Sequence, residues 1–362
     1  MKRIFVLAVA GLLVALGAVT PHPAAAGKVR ATFSTTTPAM WYNEMTIGAP
    51  KAQGGLGFYE EEGLEVEFTG ASGSTAAVQL VGAGQADIGG HVGTAPTIIG
   101  VDQGLPVIVP WLITRRNIYA IVVLEESRFT KVADLKGQKI GVFSLGSDGV
   151  PMAKAMAREV GLDPEKDISL VPIGLGAQAA NAMRTGQVVG GSFWDTAIAL
   201  MEVQGIKFRS LTTPGVDRNA AYSSTYIANT NWLKNNRADA VRFFRAVAKS
   251  SVFIQTNPEA SIKVHWKLYP TSKAADVDEA IQLRNMRHVM DARLRSVKQL
   301  ADTTTKIGQM DAAGWDAAME FYLKAGLVTK KVAADKIFTN DFIAEANDFD
   351  HERIIRMARE YR

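Results

Sequence analysis

Residues 84–99 read GQADIGGHVGTAPTII. Gly84 ends a helix, Ala86 and Ile88 form a very short apolar strand, and Gly89, Gly90 and Gly93 make a glycine-rich turn. A helix follows, with Thr94 as its cap and Pro96 near its first turn. Backbone with few side chains allows close approach, and free helix N–H groups suit an anionic or polar ligand. Alone the motif is weak, because any strand-to-helix turn carries glycine easily. Repetition gives it force.

Outward from this stretch, alternating apolar positions mark strands at Val29-Ala31-Phe33 and Leu64-Val66-Phe68. Further apolar runs lie at 107–109, 119–124, 140–143, 168–173 and 188–192. Helical stretches fall between nearly all of them, at 75–83, 96–103, 150–160, 178–185 and 196–203. That alternation predicts an α/β chain with mainly parallel sheets and helices on both faces. After Ala228 the strand signals stop, and helices are expected at 238–256, 258–267, 277–289, 312–324 and 352–359. Arg242, Arg245 and Lys249 share one face of the first of these and read as a solvated surface.

The stretches 113–122 and 224–228 border the central segment and read as crossovers. They divide the chain into a discontinuous first lobe, residues 27–115 plus 225–362, and a continuous second lobe, 116–224. Two such lobes form a cleft, and small ligands bind at the strand ends that face it.

The loops expected to line that cleft share one chemistry. They hold Ser34 and Thr36 after the first strand, and Ser72, Ser74 and Thr75 in the glycine-rich loop before the next helix. Gly93 and Thr94 come from the opening stretch, and Ser144 and Ser147 from the second lobe. Hydroxyls and glycine amides at helix starts stabilise an anion by roughly 0.3–1 kcal/mol each, plus charge-assisted hydrogen bonds. Several aimed at one point hold a sulfonate, carboxylate or phosphate without any Arg. Each taken alone reads equally as a helix cap. Trp41 and Trp194 sit where strand ends meet helix starts and suit the cover of an organic ligand. Asp195 either caps the helix after it or pairs with a ligand amine. Arg115 and Arg116 read as a carboxylate site or as a solvated pair; Glu44 is a weaker candidate, and His91 reads as a turn residue.

The first 26 residues read as an export signal: Lys2 and Arg3, an apolar core from Ile4 to Val19, and Ala24-Ala25-Ala26 as cleavage site. The expected location is therefore periplasmic. Removing Lys2 and Arg3 takes 40 basic residues to 38 against 36 acidic ones, near neutrality, and no basic cluster with interleaved aromatics points to nucleic acid. The absence of cysteine excludes disulfides, thiolate metal sites and a cysteine nucleophile. The five histidines show no metal-ligand spacing, and neither a nucleophile elbow nor a phosphate-binding P-loop motif occurs. No catalytic residue, metal or cofactor is expected.

The stretches AQGGLGFYEEEGLEVEF (52–68), SGSTAAVQLVGAGQADIG (72–89), GTAPTI (93–98), ADLKGQKIGV (133–142) and ANAMRTGQVVGGSFWDTA (180–197) stand in a specific order. That order resembles the periplasmic substrate-binding proteins of nitrate, sulfonate and taurine ABC transporters, a group that shares its fold with pyrimidine-precursor-binding and pyrimidine-synthase proteins. The resemblance implies a type II periplasmic-binding-protein fold of two α/β lobes, two crossovers and extra C-terminal helices. It also implies a monomer that closes on a small-molecule ligand and docks on an inner-membrane permease. It places ligand contacts at 34–37, 72–75, 93–94, 144–147 and 194–195. Many relatives end the 188–196 segment with Trp-Glu-Pro, where this chain has Trp194-Asp195-Thr196. With the bulky 35–41 loop, this favours a ligand with an apolar or aromatic body over nitrate or taurine. A ligand-sensing receptor domain fits the same residues. An exported enzyme on this fold is disfavoured, because the related desulfinases and synthases rely on cysteine.

Overall fold

Alternation of Val29, Ala31 and Phe33 with polar neighbours forms β1 (Gly27–Phe33), whose apolar side chains are buried. The computed structural model describes residues 26–36, 43–215 and 222–362. Most of the export signal, with Thr37, Trp41 and Tyr42, lies outside the described residues.

Ten described strands form two five-stranded sheets. The first contains β1, β2 (Leu64–Gly70), β3 (Ile88–Gly93), β4 (Val107–Leu112) and β10 (Ser224–Asn229), in the order β2-β1-β3-β10-β4. The second contains β5 (Tyr119–Leu124), β6 (Gln138–Val142), β7 (Ile168–Pro172), β8 (Gly190–Trp194) and β9 (Phe208–Leu211), in the order β7-β6-β8-β5-β9. β1 is parallel to β2 and β3, and β6 is parallel to β7 and β8. Each sheet takes one antiparallel strand, and in both cases it is the strand that arrives from the other sheet: β10 between β3 and β4, β5 between β8 and β9. The two sheets thus repeat one topology.

The opening stretch departs from its sequence reading. Gly89, Gly90 and Gly93 form no turn. β3 runs through them to Gly93, and the helix Thr94–Asp102 starts at once, with Gly93 as N-cap. The sheet tolerates this because Gly90 and His91 together face Tyr226 of β10, a bulge at which His91 takes φ +57°. A left-handed backbone position is usually taken by glycine, and a side chain there is uncommon. Thr94 does not cap either; its hydroxyl donates to the Tyr222 carbonyl.

The helices after β10 include Arg237–Thr256, Pro258–Leu268, Glu279–Leu294, Ala312–Lys324 and His351–Glu360. The first is mostly buried and packs Phe244 face to face on Trp111 of β4, ring centres 5.3 Å apart. Each such buried ring contributes roughly 1.5–3 kcal/mol. Its cationic face is not a solvated surface: Lys249 is buried, 2.6 Å from Glu62 and 3.1 Å from Glu61, and Arg245 lies 3.0 Å from Glu62. Two later helices reach the second sheet's side. Glu279–Leu294 packs on the helix Asp195–Glu202, and Tyr322 packs with Met152 of the helix Gly149–Glu159.

Candidate functional site

The carboxyl ends of β1, β3, β6 and β8 point at one another, and the starts of the antiparallel strands β5 and β10 join them. After β3 the next helix begins at once at Thr94, after β8 at Asp195, and after β6 at Gly149, so helix starts gather at these strand ends. A cleft results, lined by Ser34, Gly73, Ser74, His91 and Gly93 on one side. Ile118, Tyr119, Phe143, Ser147, Asp148 and Trp194 line the other, and Arg293 completes the wall. Two cleft hydroxyls hold the backbone of β3. Ser74 Oγ accepts from the Gly93 amide at 3.0 Å, and Ser34 Oγ donates to the His91 carbonyl at 2.5 Å.

At the rim the two sides touch. Ser144 Oγ donates to the Ser72 carbonyl at 2.8 Å, and the Thr75 amide donates to the Gly146 carbonyl at 3.0 Å. Behind this rim the cavity is only about 30 Å³, too small for an organic molecule. The conformation is therefore closed, and an organic molecule enters only if the two sides part.

Trp194 forms the aromatic wall. Its ring meets Phe143 at 5.9 Å and Tyr119 at 6.4 Å, both edge-on. Such pairs hold the indole in one orientation.

Charge in the site is arranged in pairs. Arg293 is fully buried and donates from Nε to both Asp195 oxygens at 3.1 Å and from Nη2 to Oδ1 at 2.7 Å. Burial works against the guanidinium charge, but Asp195 outweighs it and the pKa of Arg293 rises. Asp195 also accepts from the Thr196 amide at 2.7 Å. Glu44, buried, accepts from Tyr226 Oη at 2.9 Å and lies 3.4 Å from His91 Nε2. Asp148 stands apart. Burial pushes its pKa up to about 8, with the Ala95 amide partly offsetting the rise.

Of the residues picked from the sequence, Ser34, Ser74, Gly93, Ser147 and Trp194 line the cleft. Ser72, Thr75 and Ser144 form its rim. Thr36 is exposed, and Thr94 is buried against Tyr222. Asp195 lies behind the wall with its charge taken by Arg293, which leaves a ligand amine no claim on it. Arg115 does not line the cleft; it donates to the Gln309 carbonyl. His91 is a strand residue that lines the cleft, not a turn residue.

Sequence reasoning missed Arg293, having considered only Arg115 and Arg116 as candidate arginines. It lies 98 residues beyond Asp195 in a helix with no motif around it. It also passed over Asp148, which reads as the cap of its own helix. Asp148 does occupy that N-cap position, yet its side chain makes no cap bond and turns toward Gly93 instead. Among the described residues no group of three or more His, Cys, Asp or Glu side chains is placed to hold a metal ion. No described helix is long and apolar enough to cross a membrane.

The NMT1/THI5-like family model matches residues 52–261. This chain belongs to that family. A Haemophilus influenzae relative named as a thiamine biosynthesis protein is 26% identical over 286 residues, covering 76% of this chain and 82% of its own. The riboflavin-binding protein RibY of Chloroflexus aurantiacus is 24% identical over 338 residues, covering 90% and 91%. The crystal structure of the periplasmic aliphatic sulphonate binding protein SsuA from Escherichia coli superposes with a TM-score of 0.62. It is 19% identical and covers 86% of this chain and 92% of that one. The fold is that of the periplasmic binding proteins.

Proposed function

We propose that this protein is the solute-binding component of an ABC importer, exported to the periplasm and delivering its cargo to a membrane permease. The carrying observation is the closed cleft between the two sheets, with rim hydrogen bonds running from one side to the other. A solute that touches both sides stabilises this closed form and so shifts an open–closed equilibrium, which is what a permease reads. The edge-on wall of Trp194, Phe143 and Tyr119 favours a solute with a flat, apolar or aromatic body. The membership of RibY among the relatives supports the same preference.

Among the described residues no nucleophile paired with a base stands in the cleft: Ser34 and Ser147 donate to backbone carbonyls, and His91 faces Glu44. The arrangement supports capture without chemistry. A thermal-shift panel of sulfonates, aromatic carboxylates, pyrimidines and amines tests the reading, followed by X-ray scattering with each hit. The expected result is a raised melting temperature for an aromatic or heterocyclic solute together with a smaller radius of gyration. Stabilisation by taurine or nitrate alone would overturn the ligand preference. Binding with no compaction would overturn the capture mechanism.

A further inference from the structure

The charged groups around the cleft are matched, with one exception. Arg293 and Asp195 hold each other, and Glu44 is held by Tyr226 and His91. Asp148 is 1% exposed, and beyond the approach of the Ala95 amide neither of its carboxyl oxygens has a hydrogen-bond partner among the described residues. It lines the same cavity as Trp194 and Tyr119. A buried carboxyl left in this state is costly unless something else satisfies it.

Its position matters as much as its isolation. Asp148 comes from the second sheet's side and lies against Gly93 of the first, where a Cβ on residue 93 would sit 2.3 Å from the carboxyl carbon. Gly93 is the N-cap of the helix Thr94–Asp102, so the carboxyl stands at the helix end that would otherwise receive a ligand anion. Two negative groups cannot share that desolvated spot.

We propose that Asp148 sets the class of ligand: it occupies the anion position at the Gly93–Ala95 strand-to-helix junction and presents its carboxyl to an amidinium, ammonium or similar N–H donor on the solute. This rests on the solute-capture reading above. A donor approaching from the cleft supplies the missing partner; above pH 8, where the buried carboxyl is ionised, a sulfonate or carboxylate head meets a like charge.

The test uses four probes that share a phenyl ring and differ in head group: benzamidine, benzylamine, benzenesulfonate and benzoate. Calorimetric titration of the protein and of Asp148→Asn at about pH 9, above the Asp148 pKa, gives the affinities. The wild type is expected to bind at least one cationic probe at least tenfold more tightly than either anionic one. Asp148→Asn is expected to weaken the cationic probe at least tenfold and strengthen benzenesulfonate at least tenfold. Asp148→Ala is the second variant, with a thermal melt confirming that each is folded. Tighter binding of benzenesulfonate than of benzamidine by the wild type would overturn the proposal. So would affinities that stay within twofold in both variants. If the probes bind but ignore Asp148, only this inference falls; if no solute of any class binds, the capture reading falls with it.

Discussion

Arg293 and Asp195 lie 98 residues apart in sequence and 2.7 Å apart in space, joining a helix of the C-terminal third to the end of β8. Both are largely removed from water, with side-chain exposures of 2% and 14%. Removing one partner of such a pair strands the other's charge. Arg293→Ala is expected to lower the unfolding free energy by about 3 kcal/mol in a urea titration. The double variant Arg293→Met with Asp195→Ala should recover much of that loss. If the single variant costs no more than the double, the pair is not coupled.

Gly93 admits Asp148 only because it has no side chain. Gly93→Ala should therefore hold the two sides apart and enlarge the radius of gyration in X-ray scattering. Adding Asp148→Ala to it should restore the compact form. A Gly93→Ala protein as compact as the wild type would show that the two residues do not meet in solution.

His265 is fully buried, its ring nitrogens have no partner, and burial pushes its pKa down to about 4 from 6.5. Above pH 6.5 the ring is neutral folded or unfolded, and it contributes nothing to the pH dependence. As pH falls from 6.5 toward 4 the unfolded chain takes the proton first, so stability declines, by about 3 kcal/mol in total. His265→Leu should flatten that part of the curve while other groups titrate as before. Parallel curves for the two proteins between pH 6.5 and 4 would refute the assignment.

Lys249 ties the long helix Arg237–Thr256 to Glu61 and Glu62. Since Arg245 also reaches Glu62, Lys249→Met should cost less than a fully broken buried pair, about 2 kcal/mol by chemical denaturation. A variant as stable as the wild type would mean that the ammonium's desolvation cancels its ion pairs.

The alternation of short strands and helices made the α/β class legible, because period-2 and period-3.6 patterns switch cleanly along residues 29–211. The helices of the C-terminal third were equally plain. Register-dependent features were not. Gly89, Gly90 and Gly93 read as a turn because glycine signals one locally, yet pairing with β10, some 130 residues later, kept them in a strand. Ser34, Ser74 and Trp194 were visible as cleft residues since each lies at or just after a strand end. Arg293 and the direction of Asp148 depend on how distant segments pack, and no local spacing encodes that.

The late arrival of β10 has a consequence for how the chain acquires its structure. β4 is complete by residue 112, but its only strand partner among the named strands is β10, which begins at residue 224. Until then β3 also presents an unpaired edge, because β10 fills the position on its far side. The second sheet has all five of its strands between residues 119 and 211 and can assemble while the first is still unfinished. Folding order is thus expected to run from the middle of the chain outward. The unpaired edges of β3 and β4 are the segments most exposed to aggregation if the chain is cut short or stalls before residue 229.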